Sequence, residues 1–489
     1  MGVRSFYKNL KRYYPSVIES SFIDEYDILI VELNGIFYDC TKSYMLEKIN
    51  QKEKNVDNSH LFHLICQEII SIVQKFPPKQ TIFLVVDGFA PKMKLQTQIE
   101  RRYKNTIINH LDRNFDYNVF TPGTQFLHNL TKYIDYFIKK SMNDYPFMKH
   151  LTVYFSNEKN RGEGEFKAKK FLETPFNQHK KTLVLSNDSD WITSSLLIDS
   201  EIVIARRMDD HYEYVNMLKW KEIIQKKIFF ETENEKRSFV DIYLMFLLLG
   251  NDYIGEVEPW NDFQFLFRHG FTLYKKNKKH FVNESNQLIL EEFLKFIHSA
   301  QKIIPMFENK KKEICKEDVI HVSYYFLTIQ NIIDMNVKSC FDWNFFHSLK
   351  NSSLLYSCTE KDMKGLRQEL LRTEYAPVEC LYHLFILLPY QSKSLLPKCL
   401  YNFSSKHYPS TIMFDLKCNK FSLPTESNQF FDFIEYYNHH KPDFTIEEKK
   451  RNTEGKLFRY DFNQNKNTFL KTCFGTIRRN RVESTMIEL

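Results

Sequence analysis

The chain has 489 residues, nine cysteines and a formal net charge of +7. That length calls for one large core with an appended region, and the modest positive charge suits a polyanionic partner without specifying one. An odd number of scattered cysteines with no CxxC pair argues against a disulfide framework and a zinc site, and fits a reducing compartment.

The opening MGVRSFYKNLKRYYPS lacks an apolar signal core, and Phe6 breaks the myristoylation pattern. Its Phe6, Leu10, Tyr13 and Tyr14 predict a short amphipathic helix stopped by Pro15. Asp27 to Glu32 reads as a strand ending on an acid, followed by an Asn34-Gly35 turn. Residues 59–75 carry helical periodicity and end at Pro77-Pro78. Thr81 to Val86 is a second strand, again followed by an acid, Asp87. A long polar helix is predicted from about Pro91 to Leu111, and Thr124 is placed to cap the next one. Leu151–Phe155, Thr182–Ser186 and Glu201–Ala205 are three further strands, with helices in the gaps.

From about 216 the pattern turns helical, with an apolar helix at Val240 to Gly250. The longest apolar candidate, Tyr243 to Leu249, is far too short to cross a bilayer, so the expected location is the cytosol. Beyond 400 the chain reads as polar, with basic clusters at Lys449-Lys450-Arg451 and Arg478-Arg479-Asn480-Arg481. Alternating strands and helices predict an α/β fold, a mostly parallel sheet covered by helices, with a mainly helical C-terminal region.

In such sheets the site lies beyond the carboxyl ends of the strands. That rule draws Glu32, Asp87, Asp188 and Asp190 to one rim. Glu163 and Glu165 stand in a glycine-flanked loop just upstream, and Asp252 follows the apolar helix. An acid taken alone is an ordinary surface residue. Seven at such places repel one another unless cations lie between them, and an all-oxygen set suits Mg²⁺ or Mn²⁺. Two ions roughly 3.5–4 Å apart can activate water against a phosphodiester, so the residues point to a metal-dependent nuclease. Lys94, Gln98, Arg101 and Arg102 fall at helical spacing on one face behind Asp87. Arginine forks and a lysine charge are what a terminal phosphate requires. Tyr38 and Trp343 are flat rings of the kind that stack on bases, although on their own residues they read as core aromatics.

The chain resembles the eukaryotic 5′→3′ exoribonuclease (Xrn) family. The resemblance rests on MGVRSFYKNLKRYYP, Glu32-Leu33-Asn34-Gly35-Ile36, Asp87-Gly88-Phe89-Ala90-Pro91-Lys92-Met93-Lys94 and Gln98 with Arg101-Arg102. Thr121-Pro122-Gly123-Thr124, Gly162-Glu163-Gly164-Glu165, Asp188-Ser189-Asp190 and Gly250-Asn251-Asp252-Tyr253 follow in the family's order. Glu374-Tyr375-Ala376-Pro377 and Leu387-Leu388-Pro389 resemble its second conserved region.

The resemblance implies processive, Mg²⁺- or Mn²⁺-dependent removal of nucleotides from the 5′ end of single-stranded RNA bearing a 5′ monophosphate. It puts the seven acids on metal positions, with two ions, and Lys94, Gln98, Arg101 and Arg102 on the terminal-phosphate pocket. It puts Tyr38 and Trp343 on the two faces of the first base, with Tyr38 where the family has His. It divides the chain into a nuclease domain at 1–255, a helical region completing the pocket at 256–400, and an extension with a basic tail at 401–489. The expected form is a minimal catalytic core. Three departures stand out: Glu32 replaces an Asp, Arg161 a Pro and Gly255 a Pro. Two other readings remain open on the residues, a structure-specific 5′ flap DNA nuclease and an RNA-binding protein with a decayed site.

Overall fold

The computed structural model describes the chain except residues 1–2, 4, 22–24, 54–55, 113–114, 229–234, 305–314, 339–341, 344, 346–353, 360–361, 363–378, 404–412, 416–419, 423–426 and 489. The Glu374-Tyr375-Ala376-Pro377 match lies outside the described residues, and so does much of the Cys340–Phe346 segment around Trp343.

In chain order the helices that matter for the site are α1 (Phe6–Tyr13), α2 (Leu33–Asn50), α3 (Asn58–Lys75), α4 (Leu95–Asp112), α5 (Gln125–Asp144), α6 (Gly164–Leu172), α7 (Asp190–Ser194), α8 (Met217–Ile228) and α9 (Glu235–Leu247). The strands are β1 (Ile18–Glu19), β2 (Ile28–Glu32), β3 (Thr81–Val85), β4 (Thr152–Ser156), β5 (Thr182–Leu185), β6 (Ile202–Arg207), β7 (Tyr212–Asn216), β8 (Met413–Asp415), β9 (Lys420–Ser422), β10 (Leu457–Phe462), β11 (Thr468–Thr472), β12 (Gly475–Asn480) and β13 (Val482–Ile487). Two compact units, each discontinuous in sequence, share these elements. One comprises Met1–Asp24, Pro91–Met93 and Lys169–Ala376; the other comprises Glu25–Ala90, Lys94–Ala168 and Pro377–Leu489.

The second unit is built on strands in the order β2-β3-β4-β10-β13. β2-β3 and β3-β4 are parallel, whereas β4-β10 and β10-β13 are antiparallel. All five residues of β3 are buried, as are the first four of β2, which explains their unbroken apolar wording. The register pairs Glu32 with Val85 and Val85 with Ser156, so three strands end at one level.

The first unit carries strands in the order β1-β7-β6-β5, with β5-β6 parallel and the other pairs antiparallel. It also holds most of the later helices, as the sequence predicts. Its N-terminal helix is fixed by aromatic packing: Phe6 is fully buried against Phe246 and Phe263, with ring centroids 5.1 and 5.4 Å away. Edge-to-face pairs of this kind add to simple area burial.

Two expectations change. Asn34-Gly35 is not a turn, because α2 begins at Leu33. The Asn34 side chain instead accepts the Asp87 backbone N–H at 2.7 Å, a use that favours the first helical turn. The expected polar tail is ordered as β10 to β13. Its alternation in Leu457-Phe458-Arg459-Tyr460-Asp461-Phe462 marks a half-buried strand of period two that lies among charged residues.

Candidate functional site

In the second unit the acids gather where β2, β3 and the 160–164 loop meet. Glu32 is the last residue of β2, and Asp87 lies two residues past the end of β3. The Gly164 N–H donates to Asp87 Oδ1 at 2.7 Å. A Cβ on Gly164 would stand 3.1 Å from Glu32 Oε1 and 3.3 Å from Asp87 Oδ1. Both carboxylates therefore reach one point, the open N-terminus of α6, where helix N–H groups favour negative charge. Glu165 is in the first turn of the same helix.

Four hydrogen bonds hold the loop and the strand ends beneath this point. Gly88 N–H donates to Gly162 O and Gly162 N–H to Phe89 O, each at 2.9 Å. The approach is so close that a Cβ on Gly88 would fall 1.8 Å from Asn160 O. Gly162 has φ +89°, a left-handed conformation that glycine adopts without steric cost. The buried Lys167 ammonium donates to Val86 O at 2.7 Å and Asn157 O at 2.9 Å, tying the ends of β3 and β4 together. Burial draws its pKa down to about 7, opposed by Asp87 and Glu158. Lys167, one turn after Glu163, is not among the candidates the sequence offers.

The basic set lies on α4 and the turn before it. Lys94, 3% exposed, is paired with Glu163, so its charge is already met within the protein. The Arg102 guanidinium donates to Thr121 Oγ1 and Gln98 O, both at 3.0 Å. Burial lowers its pKa to about 10, still leaving it cationic at neutral pH. Gln98 is buried, and among the described residues its Oε1 has no hydrogen-bond partner. Arg101 is half-buried beside them. Tyr38 keeps 39% of its surface exposed and is stacked on Tyr117, with centroids 6.0 Å apart at 14°. Desolvation raises its phenol pKa, with Arg102 acting in the opposite sense.

In the first unit, Asp188 and Asp190 offer carboxylate oxygens within 4.8 Å of each other. Their loop is tightly held. Asp190 N–H donates to Asp188 Oδ1 at 3.1 Å, and Asp188 N–H to Ser186 Oγ at 3.0 Å. Arg206 of β6 donates to the carbonyls of Asn187 at 2.6 Å and Asp188 at 3.1 Å, with its guanidinium 4.3 Å from the Tyr7 ring centre. The Val3 N–H reaches Asp190 Oδ1 at 3.1 Å, so the buried Phe6 anchor also serves the acid. Neither Arg206 nor the Val3 amide is legible as a site group in sequence. Among the described residues Asp252 stands outside that tight pair. It sits in a turn set by Gly250, at φ +79°, and by Asn251, whose Oδ1 accepts the Tyr253 and Ile254 N–H groups. Trp343 is half-buried, and its carbonyl accepts the Lys92 N–H at 3.0 Å.

The model of the XRN 5′-3′ exonuclease N-terminus matches residues 1–207. Over that stretch the chain is similar to the Xrn family. It is 26% identical over 299 residues to 5′-3′ exoribonuclease 1 of Saccharomyces cerevisiae, covering 52% of this chain and 19% of that protein. It is 23% identical over 345 residues to 5′-3′ exoribonuclease 1 of Homo sapiens, covering 61% and 20%. With 5′-3′ exoribonuclease 2 of Gallus gallus it shares 28% over 218 residues, 35% of this chain and 22% of the other. The matched regions thus span about a fifth of these relatives. Among solved structures, the catalytic core of Rad2 in complex with DNA overlaps at TM-score 0.35 and 13% identity, covering 75% of this chain and 95% of that one. T5 D15 protein co-crystallised with metal ions overlaps at 0.31 and 11%, covering 63% and 90%. Both scores are too low to define a shared fold.

The departures from the Xrn pattern have local accounts. Glu32, one methylene longer than Asp, still brings Oε1 beside the point that Asp87 reaches. Arg161 forms an ion pair with Glu454 at 2.5 Å, and Gly455 N–H donates to Lys159 O at 3.0 Å. The C-terminal extension therefore braces the acidic loop where the family has a proline. Gly255 is exposed, just past the Asn251 turn.

Proposed function

We propose that this chain is a divalent-metal-dependent 5′→3′ exoribonuclease that processively degrades single-stranded RNA with a 5′ monophosphate. The observation that supports it most is the convergence of Glu32 and Asp87 on one point at the N-terminus of α6, with the basic face of α4 in the same unit. In this reading Glu32, Asp87, Glu163 and Glu165 of the second unit and Asp188, Asp190 and Asp252 of the first are the carboxylate ligands for two Mg²⁺ or Mn²⁺ ions. The donors are all carboxylate oxygens, as hard cations require, and the missing Cβ of Gly164 leaves room beside two of them. Bound ions would lower the pKa of the attacking water and stabilise the leaving oxygen.

The protein's own groups do the positioning. Arg102, fixed by Thr121 and the Gln98 carbonyl, presents a preset fork to the terminal phosphate, with Arg101 adding a second cation. Gln98 would act through its Nε2 amide, the part of that side chain able to donate to a phosphate oxygen. Because Lys94 is neutralised by Glu163, its part is to orient that acid. Tyr38, backed by Tyr117, offers its remaining ring surface to the first base. Trp343 is assigned to the base's other face from the family pattern.

The test uses 3′-labelled single-stranded RNA and the full chain, with Mg²⁺ or with a chelator. The reading requires that with Mg²⁺ the 3′ label pass from full-length RNA to the terminal product without intermediates while mononucleotides are released, that nothing be released with chelator, and that Asp87→Asn and Asp188→Asn lose about 10²-fold or more in rate. Wild-type rates in both variants, or preference for a 5′ DNA flap over RNA, would overturn it.

A further inference from the structure

Residues 463–481 contain five Lys or Arg and no acid, against a net charge of +7 for all 489 residues. The rest of the chain is close to balanced, so this charge is a local feature. The segment spans the β11-β12 hairpin of the second unit. One side of the hairpin is fastened to α5: the Phe474 ring meets Tyr133 edge-on at 5.3 Å, and Arg481 N–H donates to Asn143 Oδ1 at 2.9 Å. Gly475 lies so close to Tyr136 that a Cβ would stand 2.5 Å from its hydroxyl. Leu470 pairs with Ile477, which is buried on this side.

The register then shifts. Thr468 pairs with Asn480 but Leu470 with Ile477, so Arg478 and Arg479 together oppose the single residue Phe469. A bulge of this kind re-aims side chains. Phe469 is 66% exposed, and Lys471, Arg478 and Arg479 are exposed with no acidic partner among the described residues. An open aromatic ring opposite two unpaired guanidinium groups combines the two elements that hold single strands without reading sequence: a stacking platform and phosphate neutralisation.

We propose that the outer face of the β11-β12 hairpin is a second contact for single-stranded RNA, gripping the body of the strand while its 5′ end is processed. Phe469 stacks on a base, and Arg478, Arg479 and Lys471 neutralise phosphates. α5 starts beside the Thr121–Thr124 turn that holds Arg102, and Tyr136 lies twelve residues further along it, about 18 Å at the helical rise. The contact therefore engages nucleotides well downstream of the terminal phosphate. It rests on the nuclease reading for its role, though its binding is measurable without cleavage.

The experiment measures anisotropy of 3′-labelled, 5′-monophosphorylated oligouridylates of about five and about thirty nucleotides, bound to the full chain in chelator. Arg478→Gln with Arg479→Gln should weaken the long RNA about tenfold and reduce the slope of log K against log salt by about 1.4, leaving the short RNA unchanged. Phe469→Ala should weaken the long RNA by a similar factor with no change of slope. Unchanged melting temperatures show that the variants fold. Unchanged affinity and slope for the long RNA, equal loss on both lengths, or tighter binding of polyglutamate than of RNA would overturn the proposal. Loss of long-RNA affinity in the variants of a wild type that cleaves nothing would sink the nuclease reading and sustain this one. An active nuclease whose variants bind like wild type would do the reverse.

Discussion

Replacing Gly164 by Ala separates the fold from the chemistry. Gly164 opens α6 and does not have a positive φ, so alanine fits the backbone there. Helix propensity alone would then stabilise the protein by up to about 1 kcal/mol. The new methyl, however, would lie 3.1 Å from Glu32 Oε1, 3.3 Å from Asp87 Oδ1 and 3.5 Å from Glu32 Cγ. Ordinary contact is wider than the first two, so both carboxylates must retreat by a few tenths of an ångström. A displacement of about 1 Å at a reacting centre can cost about 10²-fold, so a few tenths should cost roughly tenfold in rate. The Mg²⁺ concentration for half-maximal activity should rise as well. The assay is single-turnover cleavage across a Mg²⁺ titration, beside a urea melt. Wild-type rate and Mg²⁺ midpoint in Gly164→Ala would refute the claim that these two acids converge on a working site.

Gly88→Ala should instead fail at the level of folding, since its Cβ would meet Asn160 O at 1.8 Å with backbone on both sides; a loss of about 3 kcal/mol or more by urea melt is expected. Arg102 stays charged until about pH 10, so preference for 5′-phosphorylated over 5′-hydroxyl RNA should hold from neutrality to mildly alkaline pH and fall as pH approaches 10; Arg101→Ala should reduce that preference more than it slows cleavage of hydroxyl-ended RNA. His383 is 1% exposed, and among the described residues neither ring nitrogen has a partner; burial, with Arg102 nearby, pushes its pKa down to about 3. Between its unfolded value near 6.5 and about 3, only the unfolded chain binds the extra proton, so stability falls as pH drops through that window, by at most about 1.4 kcal/mol per unit. His383→Leu should flatten this acid arm in melts taken across pH and cost little at neutrality, because it removes two unsatisfied buried atoms.

The parallel strands were readable because a strand buried on both faces has nowhere to place a polar residue, and because an acid directly after such a run is conspicuous. Glu32, Asp87, Asp188 and Asp190 all follow that rule. The antiparallel strands escaped for the opposite reason. Both carry charge within the run: β7 has the buried Glu213 between Tyr212 and Tyr214, and β10 the exposed Arg459 between Phe458 and Tyr460. The supports of the site were also hidden, since they act across long sequence separations. Arg206 holds the Asp188 carbonyl, Val3 caps Asp190 through a backbone amide, and Glu454 pairs with Arg161. No local pattern announces such partners. Lys94 shows a further limit: helical spacing places it with the phosphate-binding residues, but only the structure shows its charge already given to Glu163.

The most direct measurement offers the full chain, with Mg²⁺, three RNAs identical except for a 5′ monophosphate, hydroxyl or triphosphate. The account predicts mononucleotide release from the monophosphate RNA and little from the other two. Equal release from all three would contradict the role given to Arg101, Arg102 and Gln98. No release from any, with RNA still bound and activity restored by Glu32→Asp, would show that the longer carboxylate disables the centre and that the chain serves as an RNA-binding protein.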